Sequence, residues 1–309
     1  MNYETSIISL PVRSPFRLDL TAWALRRRKT NIIDRWDGSQ YTRVIVFNNT
    51  SVKITVIQEG TVAEPKLNII LQSEKEFSPQ IQKDVQLLIQ KILGLTIDLQ
   101  PFYTLVSTND ILKPLVDQFL GVKPPRFPSI FEGLINSIAC QQVTLDVGIL
   151  MINRLSEKFG MKFIDNDKII YAFPRPEDIV DISEEKIKEL GFSYQKSHAI
   201  KELATAFLNK KRDLTVIGEM TNEEVVSYLS MIRGIGRWSA EYVLLRGLGR
   251  LDTFPGDDIG AQNNLKRLFL LDNKPNYEEI KKLTSQWHPY EGLVYFHLLL
   301  EKLHLKGII

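Results

Sequence analysis

Residues 231–250 read MIRGIGRWSAEYVLLRGLGR, and the chain continues shortly afterwards through Phe254-Pro255-Gly256-Asp257-Asp258. Upstream, Thr221 followed by Glu224 has the spacing of a capping box, and Val225, Leu229 and Ile232 recur at helical intervals. The pattern predicts a helix that Gly234 ends. A second helical run begins near Arg237 and places Ala240, Val243, Leu244 and Gly247 on one face, leaving Gly234-Ile235-Gly236 to turn the chain. Two glycines permit so tight a turn and let the backbone come close to a ligand. The N–H groups opening the second helix favour an anion such as a phosphate. Ile235 is then the apolar pin between the helices. A plain helix-turn-helix corner with glycine at its C-cap fits the same residues, and this segment alone does not separate the two readings. Nucleotide loops are excluded: a dinucleotide fingerprint needs a third glycine where Ser239 stands, and no Gly-Lys-Ser/Thr occurs.

The acidic pair adds chemistry to this turn. A helix of ten or so residues from Gly236 carries the chain about 15 Å outward, and an extended Leu251–Gly256 spans roughly 20 Å on the way back. Asp257 and Asp258 can therefore face whatever the turn grips. An aspartate after Pro-Gly is also an ordinary N-cap, here for a helix over Ile259–Leu270, and one of the pair is expected to cap.

Composition sets the limits. The chain has 309 residues and 44% hydrophobic content, enough for a substantial core and more than one unit. Its net charge is only +2, so attraction to a polyanion must come from local features. The candidates are Arg26 to Lys29, Lys210 to Arg212, Arg233 and Arg237. A single cysteine, Cys140, excludes an internal disulfide framework and a four-cysteine iron–sulfur cluster, and it reads as buried packing. His198, His288, His297 and His304 show no metal-binding spacing, so no catalytic metal is expected. No charged-then-apolar leader and no run of about 18 apolar residues is present, which predicts a soluble, intracellular, cytoplasmic protein.

Residues 1–95 read as an α+β domain. Val44–Phe47, Val52–Ile57 and Leu67–Leu71 are strand-like runs divided by Asn48-Asn49-Thr50-Ser51 and Glu59-Gly60. A helix follows, with Ser78 as cap, Pro79 in its first turn, a stripe of Ile81, Val85, Leu88, Ile89 and Ile92, and Gly94 at its end. Beyond this domain the patterns are helical almost throughout, with a proline-rich break at Pro124-Pro125-Arg126-Phe127-Pro128 and without repeats or low-complexity tracts.

Gly-Ile-Gly-Arg-Trp-Ser-Ala, the following Leu-Arg-Gly and the Phe-Pro-Gly-Asp-Asp block resemble the helix-hairpin-helix DNA glycosylase superfamily, within it the 3-methyladenine DNA glycosylase II branch. Phe131-Glu132-Gly133-Leu134 to Cys140-Gln141-Gln142-Val143, Phe173-Pro174-Arg175-Pro176-Glu177, Leu190-Gly191-Phe192, Trp287-His288-Pro289-Tyr290, and Arg26-Arg27-Arg28 with Asp34-Arg35-Trp36-Asp37-Gly38 extend the likeness over most of the chain. The resemblance implies one helical subdomain over 127–250 and a second that combines 96–126 with 251–309, the cleft lying between them. It places the catalytic carboxylate at Asp258, with Asp257 capping or orienting, and the hairpin contacts to DNA at Gly234, Ile235, Gly236, Arg237 and Gln142. Trp238, Tyr242, Tyr290 and Gln141 become the pocket, with Gln141 and Gln142 in the loop that fills the vacated stack; Tyr290 replaces the branch's tryptophan.

A fixed carboxylate near C1′ stabilises an oxocarbenium-like transition state. Lyases of the superfamily carry a lysine two residues after the second hairpin glycine, and Trp238 stands there, which implies a monofunctional enzyme that leaves an abasic site. The expected partner is double-stranded DNA with a damaged base, bound by a monomer without cofactor; a carbonyl-held monovalent cation at the hairpin is compatible with the family. Two other readings are weighed: an 8-oxoguanine glycosylase/lyase, against which the missing lysine speaks, and a non-catalytic DNA-binding module, against which Asp258 and the aromatic set speak.

Overall fold

The structure, a computed structural model, describes residues 3–209 and 216–309. The chain opens with strand β1 (Glu4–Pro11), helix α1 (Leu18–Arg26), β2 (Arg35–Trp36), β3 (Gln40–Phe47), β4 (Thr50–Gly60), β5 (Pro65–Ser73) and α2 (Pro79–Ile92). The strands form an antiparallel sheet in the order β1-β5-β4-β3-β2. Asn48 and Asn49, both at positive φ, make the two-residue turn from β3 to β4 that such a hairpin favours. In α2 the Ser78 hydroxyl caps Ile81 N–H, and Val85, Ile89 and Ile92 are fully buried beneath the sheet's apolar face. β1 and α1 were not anticipated: β1 is largely exposed on an edge, and α1 is buried almost all round, so neither carries a clear amphipathic period.

The helical part continues with α3 (Gln100–Val106), α4 (Leu112–Gln118), α5 (Ile130–Cys140) and α6 (Leu145–Phe159). A hairpin interrupts it, β6 (Lys162–Asp165) and β7 (Lys168–Tyr171), where a helical pattern was expected. Asn166 and Asp167 turn it at positive φ, and its apolar face, Phe163 and Ile170, covers Val44 on the outside of the first sheet. Then follow α7 (Pro176–Ile179), α8 (Glu184–Lys188), α9 (Tyr194–Leu208), α10 (Asn222–Ser230), α11 (Arg237–Val243), α12 (Ile259–Leu268), α13 (Tyr277–Thr284) and α14 (Glu291–Leu305).

Besides the small cluster at the β6–β7 hairpin, three larger apolar cores form among the described residues. One joins the sheet to α2, one runs from Phe131 on α5 to Leu244 after α11, and one joins α3 and α4 to the chain from Leu245 through α14. The third core is discontinuous in sequence. Its two halves meet where α4 packs on α14, and within the second half Gly292 N–H donates to the Leu251 carbonyl at 2.7 Å.

Buried arginines bolt the cores together. Arg43 on β3, 1% exposed, donates to Asp34 at 2.7 Å and to Glu132 on α5 at 2.5 Å, and the Tyr41 hydroxyl donates to the same Asp34 oxygen. Arg246 donates to carbonyls in the last turn of α1, those of Ala24 and Leu25. Arg26 and Arg27, expected to be free for phosphate, are almost wholly inside: Arg26 donates to the carbonyls of Arg28, Lys29 and Trp36, and Arg27 to Tyr242 and Asn136. Arg26 closes a loop and Arg27 crosses an interface, so neither guanidinium is left for a ligand.

The third core also buries an imidazole. His297 is 1% exposed, Nδ1–H donates to the Leu293 carbonyl, and burial lowers its pKa from 6.5 to about 4. Between those values the unfolded chain binds the proton and the folded one does not. Stability is therefore complete above about pH 6.5 and falls as the pH drops towards 4. Urea unfolding at pH 7 and pH 5 should differ by about 2 kcal/mol from this group, and His297→Leu should remove that part of the difference.

Candidate active site

The turn between α10 and α11 is built as two different glycine positions. Thr221 and Glu224 form the reciprocal capping box that starts α10, but α10 stops at Ser230, short of the predicted end at Gly234. Tight turns, Ile232 N–H to Leu229 and Ile235 N–H to Ile232, occupy the interval. Gly234 has φ +87°, and a Cβ there would stand 2.9 Å from Ala199 Cβ, so both backbone and neighbour demand glycine. Gly236 is extended, and a Cβ on it would meet nothing within 4 Å. No neighbour among the described residues needs glycine at 236. Ile235 is buried in the second core, as a pin should be, and no side chain caps the first turn of α11.

Gln141 braces this turn. Its Nε2 donates to the Gly234 carbonyl at 2.8 Å and to Ser239 Oγ at 3.0 Å, which commits both amide hydrogens to the hairpin instead of to a base pocket. Gln142, next along, is exposed at φ +53°, a left-handed conformation costly for a side-chain-bearing residue. Cys140 is half-buried, its sulfur 2.7 Å from where a Cβ on Gly148 would lie.

The return of the chain to the turn is held at several points. After α11 a π-helical turn, Leu244–Leu248, ends at left-handed Gly249. Gly256 N–H donates to Glu241 Oε2, Gln262 Nε2 donates to the Gly256 carbonyl, and Tyr277 donates to Glu241 Oε1. Burial raises the Glu241 pKa, although both donors oppose it. Arg237 Nε donates to Asp257 at 2.8 Å while its guanidinium lies 3.5 Å above the Tyr277 ring. Asp257 therefore orients Arg237, and that side chain is engaged within the protein.

Asp258 takes the cap that one of the acidic pair was expected to provide. Its Oδ1 accepts Ala261 N–H at 2.8 Å, which makes it the N-cap of α12, the role assigned to Asp257. Its Oδ2 accepts from Tyr295 OH at 3.1 Å and, at 3.4 Å, from Trp238 Nε1. A carboxylate has two oxygens, so capping with one leaves the other for these two donors. The residue is part-exposed. Tyr295 was not found from sequence: it lies 37 positions away on another helix, and no periodic signal links the two. Its ring is fixed edge-on to Phe254 and Phe296, and burial together with the nearby Asp258 raises its pKa well above 10, which keeps the phenol a donor.

A turn with an open glycine, beside a part-exposed carboxylate held by a tryptophan and a tyrosine, is set on a helical scaffold. Residues 135–289 match the HhH-GPD superfamily of base excision DNA repair proteins. The chain belongs to this superfamily. The alkylbase DNA glycosidase-like protein mag2 of Schizosaccharomyces pombe is 37% identical over 57% of the chain and 80% of its own length. The DNA-3-methyladenine glycosylase of Bacillus subtilis is 26% identical over 96% of each chain. Among solved structures, a 3-methyladenine DNA glycosylase from Archaeoglobus fulgidus aligns with TM-score 0.83 at 23% identity, covering 98% of this chain and 100% of its own, a likeness of fold.

The other expected residues of this HhH-GPD protein are less closely gathered. Tyr242 is 3% exposed, takes a hydrogen bond from Arg27 and lies 5.5 Å, ring to ring, behind Trp238. Tyr290 is half-buried at the start of α14 against Phe102. A cavity of about 760 Å³ is lined by Arg237, Glu241, Gly256, Tyr277, His288 and Glu291, with neither Asp258 nor Trp238 on its wall. Lys210 to Arg212 lie outside the described residues; Arg233 is exposed beside the turn.

Proposed function

We propose that the protein is a monofunctional DNA glycosylase that binds double-stranded DNA as a monomer, extrudes an alkylated purine of the 3-methyladenine type and hydrolyses its N-glycosidic bond. The observation that carries this reading is the Asp258 carboxylate, aimed by Ala261, Trp238 and Tyr295. In it, the two helical subdomains close on the extruded nucleotide while the sheet domain supports α5.

As the base departs, positive charge grows on the sugar. Asp258 stabilises that charge and orients or deprotonates the attacking water. A purine alkylated at N3 or N7 is already cationic and leaves as a neutral base, so no strong general acid is required. Trp238 offers a ring edge and no amine, so no Schiff base forms at this position and the product is an abasic site. The base must first leave the stack, at a cost of a few kcal/mol.

Duplexes carrying 3-methyladenine, hypoxanthine or 8-oxoguanine, analysed with and without alkali, test this. Breaks that appear only after alkali at the alkylated base support it. Spontaneous breaks at 8-oxoguanine would replace it with a glycosylase/lyase, and binding without breaks with a non-catalytic module.

Tyr295→Phe keeps the ring packing and removes one donor to Oδ2. A hydrogen bond to a charged group contributes roughly 1.5–3 kcal/mol, so kcat should fall at least about tenfold. Gly236→Ala should unfold like the parent protein, since its added carbon meets nothing, while binding to undamaged duplex weakens several-fold as the backbone's approach to phosphate is blocked. Unchanged affinity in an anisotropy titration would remove the turn from the interface.

A further inference from the structure

Lys302 stands on α14, one helical face with Tyr295 and Leu298 leading up to it. A Cβ placed on Gly260 would be 2.9 Å from Asp258 Oδ1 and 3.7 Å from Lys302 Nζ. Ammonium and carboxylate are therefore separated by no more than about 7 Å, close enough to interact strongly across a part-buried cleft. They form no ion pair, and Lys302 has no hydrogen-bond partner among the described residues. The ammonium is half-buried, and Arg28 and Lys306 add like charge around it. Arg28 itself is steadied by Asp146, at the start of α6 beside the Gln142 loop. Burial, together with Lys306 and Arg28, lowers the Lys302 pKa, and Asp258 alone raises it.

A half-buried cation without a partner, among other cations, is an arrangement that an arriving anion relieves. The position of that anion follows from Asp258. A nucleoside whose C1′ faces this carboxylate brings its own phosphodiesters only a few bonds further on. Lys302, near the carboxylate yet not on it, stands where a phosphate would be and not where the reacting carbon would be.

We infer that Lys302 contacts a backbone phosphate of the extruded nucleotide, with Arg28 and Lys306 flanking it, so that α14 supplies a phosphate site separate from the glycine turn. The inference rests on the glycosylase reading of Asp258. It adds a contact made only after extrusion, when the nucleotide has entered the cleft.

The test uses the full chain and a duplex containing a tetrahydrofuran abasic-site analogue, with affinity measured by anisotropy over a potassium chloride series. Neutralising one phosphate contact changes the slope of log K against log salt by about 0.9. Lys302→Gln should weaken binding roughly tenfold at low salt and flatten the slope by about that amount, and Lys302→Arg should restore both. An unchanged slope overturns the inference, including the case in which only the excision rate falls, for then Lys302 acts on Asp258 alone. Excision of 3-methyladenine by the parent protein, run in parallel, reports on the glycosylase reading separately, because the slope needs no turnover.

Discussion

Asp258→Asn should leave the protein folded and bound to DNA while base excision falls by at least about a hundredfold, the scale on which a pre-aligned charge stabilises a transition state. Asparagine caps a helix about as well as aspartate, so Oδ1 can still receive the Ala261 N–H that starts α12. The second site is where charge matters. Tyr295 can turn its hydroxyl to accept from the new amide, and the Trp238 contact, at 3.4 Å, is long enough to yield. The melting temperature should therefore stay within a few degrees of the parent. Asp258→Ala is the contrasting variant: it should lose the cap as well, about 1 kcal/mol, with excision equally absent. Single-turnover excision beside thermal unfolding separates the two roles, and retained excision by the asparagine variant would remove Asp258 from the chemistry.

The largest loss of stability is expected from Arg43→Met. It leaves Asp34 and Glu132, 3% and 4% exposed, facing each other without the guanidinium that joins them. Removing one partner from such a buried pair costs about 3–5 kcal/mol, comparable with the whole stability of many domains. The defect should depend on pH in a definite direction. Burial already raises the Glu132 pKa, with Arg43 opposing it; without Arg43 it rises further. A carboxyl whose folded pKa exceeds its unfolded one loses stability as the pH climbs through that interval. The variant should thus be worst above neutrality and partly recover towards pH 5, readable by urea unfolding at both pH values. An equal defect at both would mean that lost packing, not charge, is responsible.

Legibility followed the range over which residues act. The α2 helix, with its serine cap, proline and apolar stripe, was readable because each signal lies within a few residues of the next. So was the capping box of α10, and the glycine turn with its buried Ile235. The β6–β7 hairpin was missed because its strands are four residues long and its apolar face is completed by Val44, far away in sequence. The Arg26–Lys29 run illustrates the opposite error. A basic run is read as surface until the carbonyls that receive it are known, and here they belong to a loop closed on α1, with Arg27 crossing to α5 and Tyr242.

What the sequence by itself determined is local: the sheet domain ahead of a helical body, the turn that needs Gly234, and an acidic pair after Pro-Gly at the right distance from it. Tertiary structure alone decided which aspartate caps α12, that Tyr295 holds its other oxygen, and that Arg237 answers to Asp257. The reason is physical. Backbone conformation and capping are governed by near neighbours, whereas the surroundings of a carboxylate are set by helices that meet only when α11, α12 and α14 pack.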